Sequence, residues 1–352
     1  MSVVFILLFW AALAAGLFFS RKKPVFWPLL ALALLLLFNQ LFTDGFFHVE
    51  VRDGHLYGTL IDILNQGAKV MLLALGMTLV IATGGVDLSV GAIIAISGAV
   101  LAQRFVGAGW PPGLSIVAAL ALAIAAGAWN GLLVAYLRIQ PIVATLILMV
   151  AGRGIAQLIT DGQIITFENP TLVYLGNGFL LGLPFTLTLV LVMLGLTAVL
   201  TRRTALGLFI EAVGDNETAS HFTGLPARQV KFLAYVFAGL CAGLAGLVAA
   251  SNIKCADSNH AGLYLELDAI LAVVIGGTAL TGGRFYLAGS MIGALLIQTL
   301  TQTLYMRNVS ADIAPVPKAI VILAGCLMQS PKLRERFARF GFGFAKTKKA
   351  TG

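Results

Sequence analysis

Two glycine-rich stretches interrupt long apolar runs, and their residue types are typical of backbone that bends or lines a pathway inside a membrane. The first is ALGMTLVIATGGVDLSVGAIIAISGAV at 74–100, and the second is LDAILAVVIGGTALTGGRFYLAGSMIGALL at 267–296. Each joins two apolar runs through a glycine pair and a short polar segment. Glycine in a helix interior costs about 1 kcal/mol relative to alanine, and irregular backbone at membrane depth is tolerated only against protein or a water-filled cavity. We therefore expect two broken helix pairs.

Residues of these two stretches are candidates for hinges or for the lining of a pathway. They are Gly84, Gly85, Asp87, Ser89, Gly276, Gly277, Gly282 and Gly283. For any single glycine, close packing of small residues between helices is the simpler explanation. The occurrence of two such stretches in one chain favours a hinge or a pathway.

Asp87 is a carboxylate among apolar helices, a placement that costs about 3 kcal/mol on insertion scales. Ser89, Val90 and Gly91 follow it and can begin a helix. Asp87 would then lie near the helix N-terminus and accept backbone N–H bonds. We favour this structural role over direct contact with a substrate.

Other polar residues lie within or beside the apolar runs, where membrane helices direct them toward a bundle interior or an aqueous path. The candidate pathway residues are Asn65, Asn130, Arg153, Gln157 and Asp268. Amide and hydroxyl groups suit a hydroxylated solute better than a bare ion, and Arg153 could pair with Asp161 or Asp268. Hydrogen bonding between helices explains each of these residues about equally well.

The segment TRRTALGLFIEAVGDNETASHFTGLPARQVK at 201–231 is the longest polar stretch between two apolar runs on the predicted cytoplasmic side. We expect a helix over Thr204–Val213 that stops at Gly214 in a left-handed turn. The segment therefore predicts a helix across the inner membrane face that can transmit force from a soluble partner. A solvated connector is the alternative.

A second short helix is expected over 217–223. Either Asp215 or Asn216 would cap its N-terminus, and Gly224 with Pro226 would end it.

Several catalytic motifs are absent from the sequence. No Gly-Lys pair occurs, so there is no phosphate-binding loop of the G-x-x-x-x-G-K-[ST] type. There is no H-E-x-x-H motif and no Ser/His/Asp arrangement at informative spacing. The chain is therefore not expected to be an enzyme, and we expect it to carry no cofactor and no metal.

Composition identifies the solvent of this chain. Of its 352 residues, 59% are hydrophobic and only 11% are charged, whereas soluble domains carry about 25% charged residues. The formal net charge is +8, but the basic residues form short clusters between apolar runs, which argues against nucleic acid as a partner. Lipid is the solvent that this composition fits.

The apolar runs predict an all-α fold, a polytopic transmembrane helical bundle of about 10–11 spans that includes the two broken helix pairs. The expected spans are 2–20, 24–43, 66–83, 88–106, 114–137, 141–160, 184–201, 231–252, 266–281, 286–304 and 316–330. Residues 1–23 would be either an extra N-terminal anchor helix or an upstream extension that adds nothing to transport. Residues 24–330 would form the membrane domain and 331–352 a basic cytoplasmic tail. Lys and Arg in short loops place the N-terminus outside and 201–231 inside.

The outer loop at 161–183 would be either a docking surface or a plain connector.

Four ordered motifs resemble permeases of the ATP-binding cassette (ABC) importers for ribose, xylose and galactose. They are ALGMTLVIATGGVDLSVGA, IQPIVATLILMVAGRGIAQLI, TALGLFIEAVGDNETASHFTG and ELDAILAVVIGGTALTGG. The resemblance covers about 59–330, whereas residues 1–20 depart from the family pattern. WNGLLVA at 129–135 and KCADSNHAGLYLELDAI at 254–270 are most similar to galactofuranose importer permeases.

The resemblance implies a permease subunit in the bacterial inner membrane that forms the path for a monosaccharide. Two permeases would form a homodimer or heterodimer, a cytoplasmic ATPase on another chain would carry ATP and Mg²⁺, and a periplasmic binding protein would deliver the sugar. The family pattern marks a loop that couples to the ATPase. Its residues here are Glu211, Ala212, Gly214, Asn216 and Gly224.

Two other function classes are weighed against the permease. A secondary transporter or channel acting alone also uses broken helices near the midplane, and accumulation of a small polar solute by the chain alone would favour it. A membrane enzyme acting on a lipid-linked sugar would show clustered catalytic carboxylates or metal ligands, and the sequence shows none.

Overall fold

The computed structural model of the chain describes residues 3–21, 24–52, 54–310, 313–320 and 323. Its main elements are helices joined by short connections. The helices are α1 (Val3–Ser20), α2 (Phe26–Phe42), α3 (Thr59–Ala82), α4 (Val90–Ala102), α5 (Pro112–Gly131), α6 (Pro141–Ile159), α7 (Pro170–Asn177), α8 (Phe185–Arg202), α9 (Leu206–Asp215), α10 (Glu217–Phe222), α11 (Ala227–Ile253), α12 (Leu265–Ile275) and α13 (Leu287–Met306). A further helical segment covers 315–320.

Seven helices of the described part of the chain are long and apolar enough to cross a membrane. They are Thr59–Ala82, Val90–Gly107, Pro112–Tyr136, Pro141–Ile159, Phe185–Arg202, Ala227–Ile253 and Leu287–Met306. Two of these continue α4 and α5 through π-helical turns, at Gln103–Gly107 and Leu132–Tyr136. The prediction of a polytopic all-α bundle is confirmed.

Several predicted spans differ in the structure. The run at 266–281 contains α12, which is only 11 residues long and covers about 16 Å of a core that is ~30 Å thick. The backbone leaves the helix at the glycine pair that follows. The apolar helices α2 and Phe9–Ser20 of α1 are also shorter than the seven spans. Most of the run at 316–330, and all of the tail at 331–352, lies outside the described residues.

Helix α3 forms the centre of the bundle. It packs against α11 and α13 and also contacts α12 and α8, and its residues from Val70 to Ala82 are all buried. Helix α11 packs in turn against α5 and α4. The largest hydrophobic cluster therefore follows α3 and α11 from one side of the bundle to the other.

Glycines bring neighbouring helices into backbone contact. A Cβ atom added to Gly239 of α11 would lie 2.5 Å from the carbonyl oxygen of Ala123 in α5, and one added to Gly293 of α13 would lie 2.1 Å from that of Ala272 in α12. Close packing of small residues, the simpler explanation considered for single glycines, thus accounts for several of them.

Short antiparallel strand pairs lie on the predicted outer side. The strands are β1 (Val49–Arg52), β2 (His55–Gly58), β3 (Ile165–Thr166), β4 (Phe179–Leu180), β5 (Leu183–Pro184) and β6 (Cys255–Ala256). β1 pairs with β2, β4 with β5, and β3 with β6. The β3–β6 pair ties the outer loop at 161–183 to the end of α11, so this loop is folded against the bundle.

Candidate functional site

Both glycine breaks meet each other at the end of α3. The backbone N–H of Gly283 donates to the carbonyl oxygen of Ala82, with a distance of 2.9 Å. A Cβ atom added to Gly84 would lie 3.8 Å from the carbonyl oxygen of Thr281, and one added to Gly282 would lie 2.9 Å from the nitrogen of Gly84. The two stretches that the sequence singled out therefore form one structural unit.

Helix α9 packs directly onto this unit through Gly214. A Cβ atom at Gly214 would lie 1.8 Å from the carbonyl oxygen of Ala82 and 2.4 Å from the nitrogen of Gly283. From the other side, a Cβ atom at Gly282 would lie 2.7 Å from the carbonyl oxygen of Gly214. We call Ala82, Gly84, Gly214, Gly282 and Gly283 the glycine junction. It joins the polar segment 201–231 to both helix breaks without an intervening side chain.

The predicted role of Gly214 as a helix stop is wrong. Helix α9 begins at Leu206 and continues through Gly214 to Asp215, and Gly214 is not among the residues with positive φ. Glycine is required here by the close approach of backbone from the helix breaks, and a left-handed turn is not formed.

The second half of the segment follows the prediction more closely. The side chain of Asn216 accepts a hydrogen bond of 2.9 Å from the backbone N–H of Ala219 and caps α10. Of the two candidate caps, Asn216 is therefore the one used. Gly224 follows α10 with a φ of +84°, a left-handed conformation that glycine adopts without strain.

The segment 201–231 has one face toward the bundle and one away from it. Ile210 and Val213 of α9 are buried in the hydrophobic core, whereas Glu211 and Ala212 are half-buried. Two large apolar side chains point away from the core: Leu208 is 71% exposed and Phe222 is 86% exposed. Both side chains are therefore accessible to lipid or to another protein.

A groove of about 820 Å³ lies beside α10. It runs between that helix, the start of α11 and the connection from α5 to α6. Its wall includes Arg138, His221, Phe222, Arg228 and Lys231. The groove and the exposed apolar residues lie on the same side of the molecule as the polar segment 201–231.

Asp87 lies in the first helix break and is fully buried. Its Oδ1 atom accepts hydrogen bonds from the backbone N–H of Ser89, at 2.9 Å, and from the Ser89 hydroxyl, at 2.7 Å. The expected backbone bond is therefore present, one residue before α4 begins at Val90. Asn130 of α5 donates to Ser89 Oγ at 2.7 Å and to Asp87 Oδ1 at 3.4 Å. Asp87 and Asn130, two predicted pathway residues, are thus brought together.

Tyr235 of α11 also contacts this break, donating a hydrogen bond of 3.2 Å to the carbonyl oxygen of Val86. This contact could not be predicted, because a tyrosine in an apolar run is most simply interpreted as core. Its hydroxyl ties the central helix pair to the broken backbone.

The remaining predicted pathway residues are dispersed and take part in bonds between elements. Asn65 of α3 accepts from Thr186 of α8 at 2.7 Å. Gln157 of α6 donates to Asn259 at 2.8 Å. These bonds agree with the alternative of interhelical hydrogen bonding, and a role in the pathway stays a prediction for both residues.

The ion pairs suggested for Arg153 are wrong. Its guanidinium donates to the carbonyl oxygens of Ala261, at 2.5 Å, and Ser258, at 3.3 Å. Asp268 instead pairs with Lys318, with 3.1 Å between Oδ2 and Nζ. Sequence could not indicate this pairing because it joins α12 to a segment 50 residues further along the chain.

Comparison with known proteins places the chain in a family. Residues 59–328 match the family described as branched-chain amino acid transport system / permease component, which is more than half of the chain. The chain belongs to this family. The family match and the seven apolar helices together show a multi-pass membrane permease.

Three curated relatives of this permease family align over most of their length. The galactofuranose transporter permease protein of Escherichia coli (strain K12) is 52% identical over 89% of this chain and 93% of its own. The fructose import permease protein of Bifidobacterium longum (strain NCC 2705) is 41% identical over 87% and 88%. The ribose import permease protein of Escherichia coli (strain K12) is 36% identical over 86% and 93%. No solved structure matches the permease.

Proposed function

We propose that this permease is the membrane-spanning subunit of an ATP-driven ABC importer for a monosaccharide, located in the bacterial inner membrane. The relatives named above are import permeases for galactofuranose, fructose and ribose. Galactofuranose is the sugar of the most identical of the three, and we propose it as the transported solute. The family description names branched-chain amino acids, but the polar residues of this chain suit a hydroxylated solute.

One observation supports the coupling mechanism above all others: α9 has direct backbone contact with both helix breaks at the glycine junction. A displacement of α9 cannot be absorbed by side-chain rotation at Gly214, because no side chain separates it from Ala82 or Gly283. Movement of α9 is therefore transmitted to the end of α3 and to the backbone before α13. In the proposed mechanism, this movement alternates the pathway between outward and inward openings.

The driving movement would come from a cytoplasmic ATPase on another chain, which carries ATP and Mg²⁺. The exposed Leu208 and Phe222 give this partner an apolar contact on α9 and α10. Arg138 and Arg228 line the adjacent groove and supply positive charge for polar contacts around it. A periplasmic sugar-binding protein and a second permease subunit complete the proposed assembly.

Reconstitution in vesicles tests this function. The permease with its ATPase and binding protein is expected to accumulate galactofuranose in an ATP-dependent manner, while the permease alone accumulates none. Fructose and ribose serve as comparison sugars in the same vesicles. Gradient-driven accumulation by the permease alone would contradict the proposal and support a secondary transporter.

A further inference from the structure

A second cavity, of about 200 Å³, lies between α3, α4, α11 and the chain after β6. Small and apolar residues of α4 and α11, such as Ala95 and Ala249, form much of its wall. Its polar wall consists of Lys69, Asp257 and His260. None of the pathway residues expected from the sequence lines this cavity, so it is a separate feature of the bundle.

Lys69 is the most informative residue of this cavity. It is the eleventh residue of α3, about 15 Å along the helix from Thr59, and therefore lies well inside the span Thr59–Ala82. Its ammonium donates to Gln66 Oε1 at 2.7 Å, and within the described part of the chain it forms no ion pair with a carboxylate. An ammonium has three donors, so Lys69 can donate further into the cavity. An ionisable group inside a span is costly, which makes Lys69 a candidate for a functional site.

Asp257 offers a complementary group in the wall of the same cavity. Its carboxylate is held by the backbone N–H groups of Asn259 and His260, at 2.9 and 3.2 Å, and by His260 Nδ1 at 2.8 Å. A carboxylate has about four acceptor positions, which leaves capacity for one more donor. Because the loop fixes this carboxylate, a ligand hydroxyl would meet an oriented acceptor.

The charges and the size of the cavity restrict the ligand. Asp257 would repel a solute anion, and Lys69 would repel a solute cation. A neutral polyol can instead accept a hydrogen bond from Lys69 and donate one to Asp257. The volume corresponds to roughly seven water molecules at ~30 Å³ each, which is comparable with one monosaccharide ring and too small to enclose a disaccharide. We propose that this cavity is a transit site that holds one neutral monosaccharide between Lys69 and Asp257. This inference rests on the proposed transport function.

A native thiol permits a direct test, because Cys255 also lines the cavity. With Cys241→Ala and Cys326→Ala, Cys255 becomes the single thiol of this chain, and its labelling is measured on the permease band of the purified permease–ATPase complex. N-ethylmaleimide modification of Cys255 is expected to slow in the presence of galactose, fructose or ribose and to be unaffected by sucrose. Lys69→Met should raise about tenfold the sugar concentration that gives half-maximal protection of Cys255, which is equivalent to ~1.4 kcal/mol of binding free energy.

Arg52→Gln is the matched control, since Arg52 is an exposed cation on a strand outside the cavity and its loss should leave protection unchanged. Ala249→Leu is a second variant that fills the cavity without changing a charge, and it should also reduce protection. Equal protection in the parent and Lys69→Met, or none in the parent, would overturn the transit site.

Uptake by the parent complex is measured in parallel. Normal uptake without protection refutes only the cavity, and absent uptake refutes the proposed function.

Discussion

Gly214 and Ala82 are in backbone contact: a Cβ atom on Gly214 would lie 1.8 Å from the carbonyl oxygen of Ala82. Such a distance leaves no room for any side chain at position 214. The same carbonyl accepts the backbone N–H of Gly283, so one oxygen atom connects α9, the end of α3 and the second helix break. We regard this connection as the structural basis of coupling.

Gly282→Ala is expected to disrupt the glycine junction. Gly282 has a φ of +90°, and its added Cβ atom would lie 2.7 Å from the carbonyl oxygen of Gly214. Backbone strain of this kind costs about 1–3 kcal/mol, before any steric displacement of α9. ATP-dependent uptake by reconstituted Gly282→Ala should therefore fall sharply while membrane insertion is retained. Gly195→Ala is the matched control, because nothing lies within 4 Å of its added Cβ atom, and equal uptake by the two variants would refute this role.

Asn216→Ala is expected to weaken α10. The Asn216 side chain caps this helix through Ala219, and loss of such a cap costs about 1 kcal/mol. A helix of only six residues has little other local stabilisation. Limited proteolysis between α9 and α11 should become faster, and uptake should decrease. Asn216→Asp retains an acceptor and should behave like the parent. If Asn216→Asp were cleaved as fast as Asn216→Ala, the cap would not be the cause.

The ion pair between Asp268 and Lys318 is expected to show strong energetic coupling. Both side chains are largely buried, with 14% and 16% exposed. Removal of one partner of a buried pair leaves an uncompensated charge and costs about 3–5 kcal/mol. Asp268→Leu and Lys318→Met should each lower the melting temperature of the purified permease in detergent. The double variant should recover most of the loss, because it buries no charge. Additive losses in the double variant would show that the pair is not coupled.

Cys255 is expected to react slowly with maleimide at neutral pH. Burial, and then the neighbouring Asp257 carboxylate, raise the pKa of this thiol above its ordinary value, and only the thiolate is nucleophilic. Its modification rate should therefore continue to rise at a pH where an ordinary thiol has reached its plateau. Asp257→Asn removes the negative charge and should shift the pH–rate profile toward lower pH. An unshifted profile in Asp257→Asn would exclude the contribution of the carboxylate.

Much of the fold could be predicted from the sequence because lipid imposes a simple rule on span length and hydropathy. Three local features are determined by neighbouring residues, and the structure has each of them. They are the helix between Gly214 and Gly224, its Asn216 cap and the backbone bond to Asp87. Such local features follow from capping and from backbone geometry, which single residue types strongly restrict.

The relationships between distant segments could not be predicted. The glycine junction depends on the carbonyl oxygen of Ala82. Every residue type has a backbone carbonyl, so the sequence does not show which one is contacted. The pairing of Asp268 with Lys318 and the lining of the transit cavity by Lys69 depend on how helices pack around α3. Sequence identified several polar groups inside the membrane, but it did not single out Lys69 or indicate which groups face each other.

The most direct test of the account compares transport with ATP hydrolysis in the Gly214→Val complex. The bulky β-branched side chain must separate α9 from Ala82 and Gly283, so movement of the ATPase would no longer reach the helix breaks. The account predicts a complex that inserts and still hydrolyses ATP but accumulates no sugar. Parent-like accumulation of sugar per ATP hydrolysed by Gly214→Val would contradict the account.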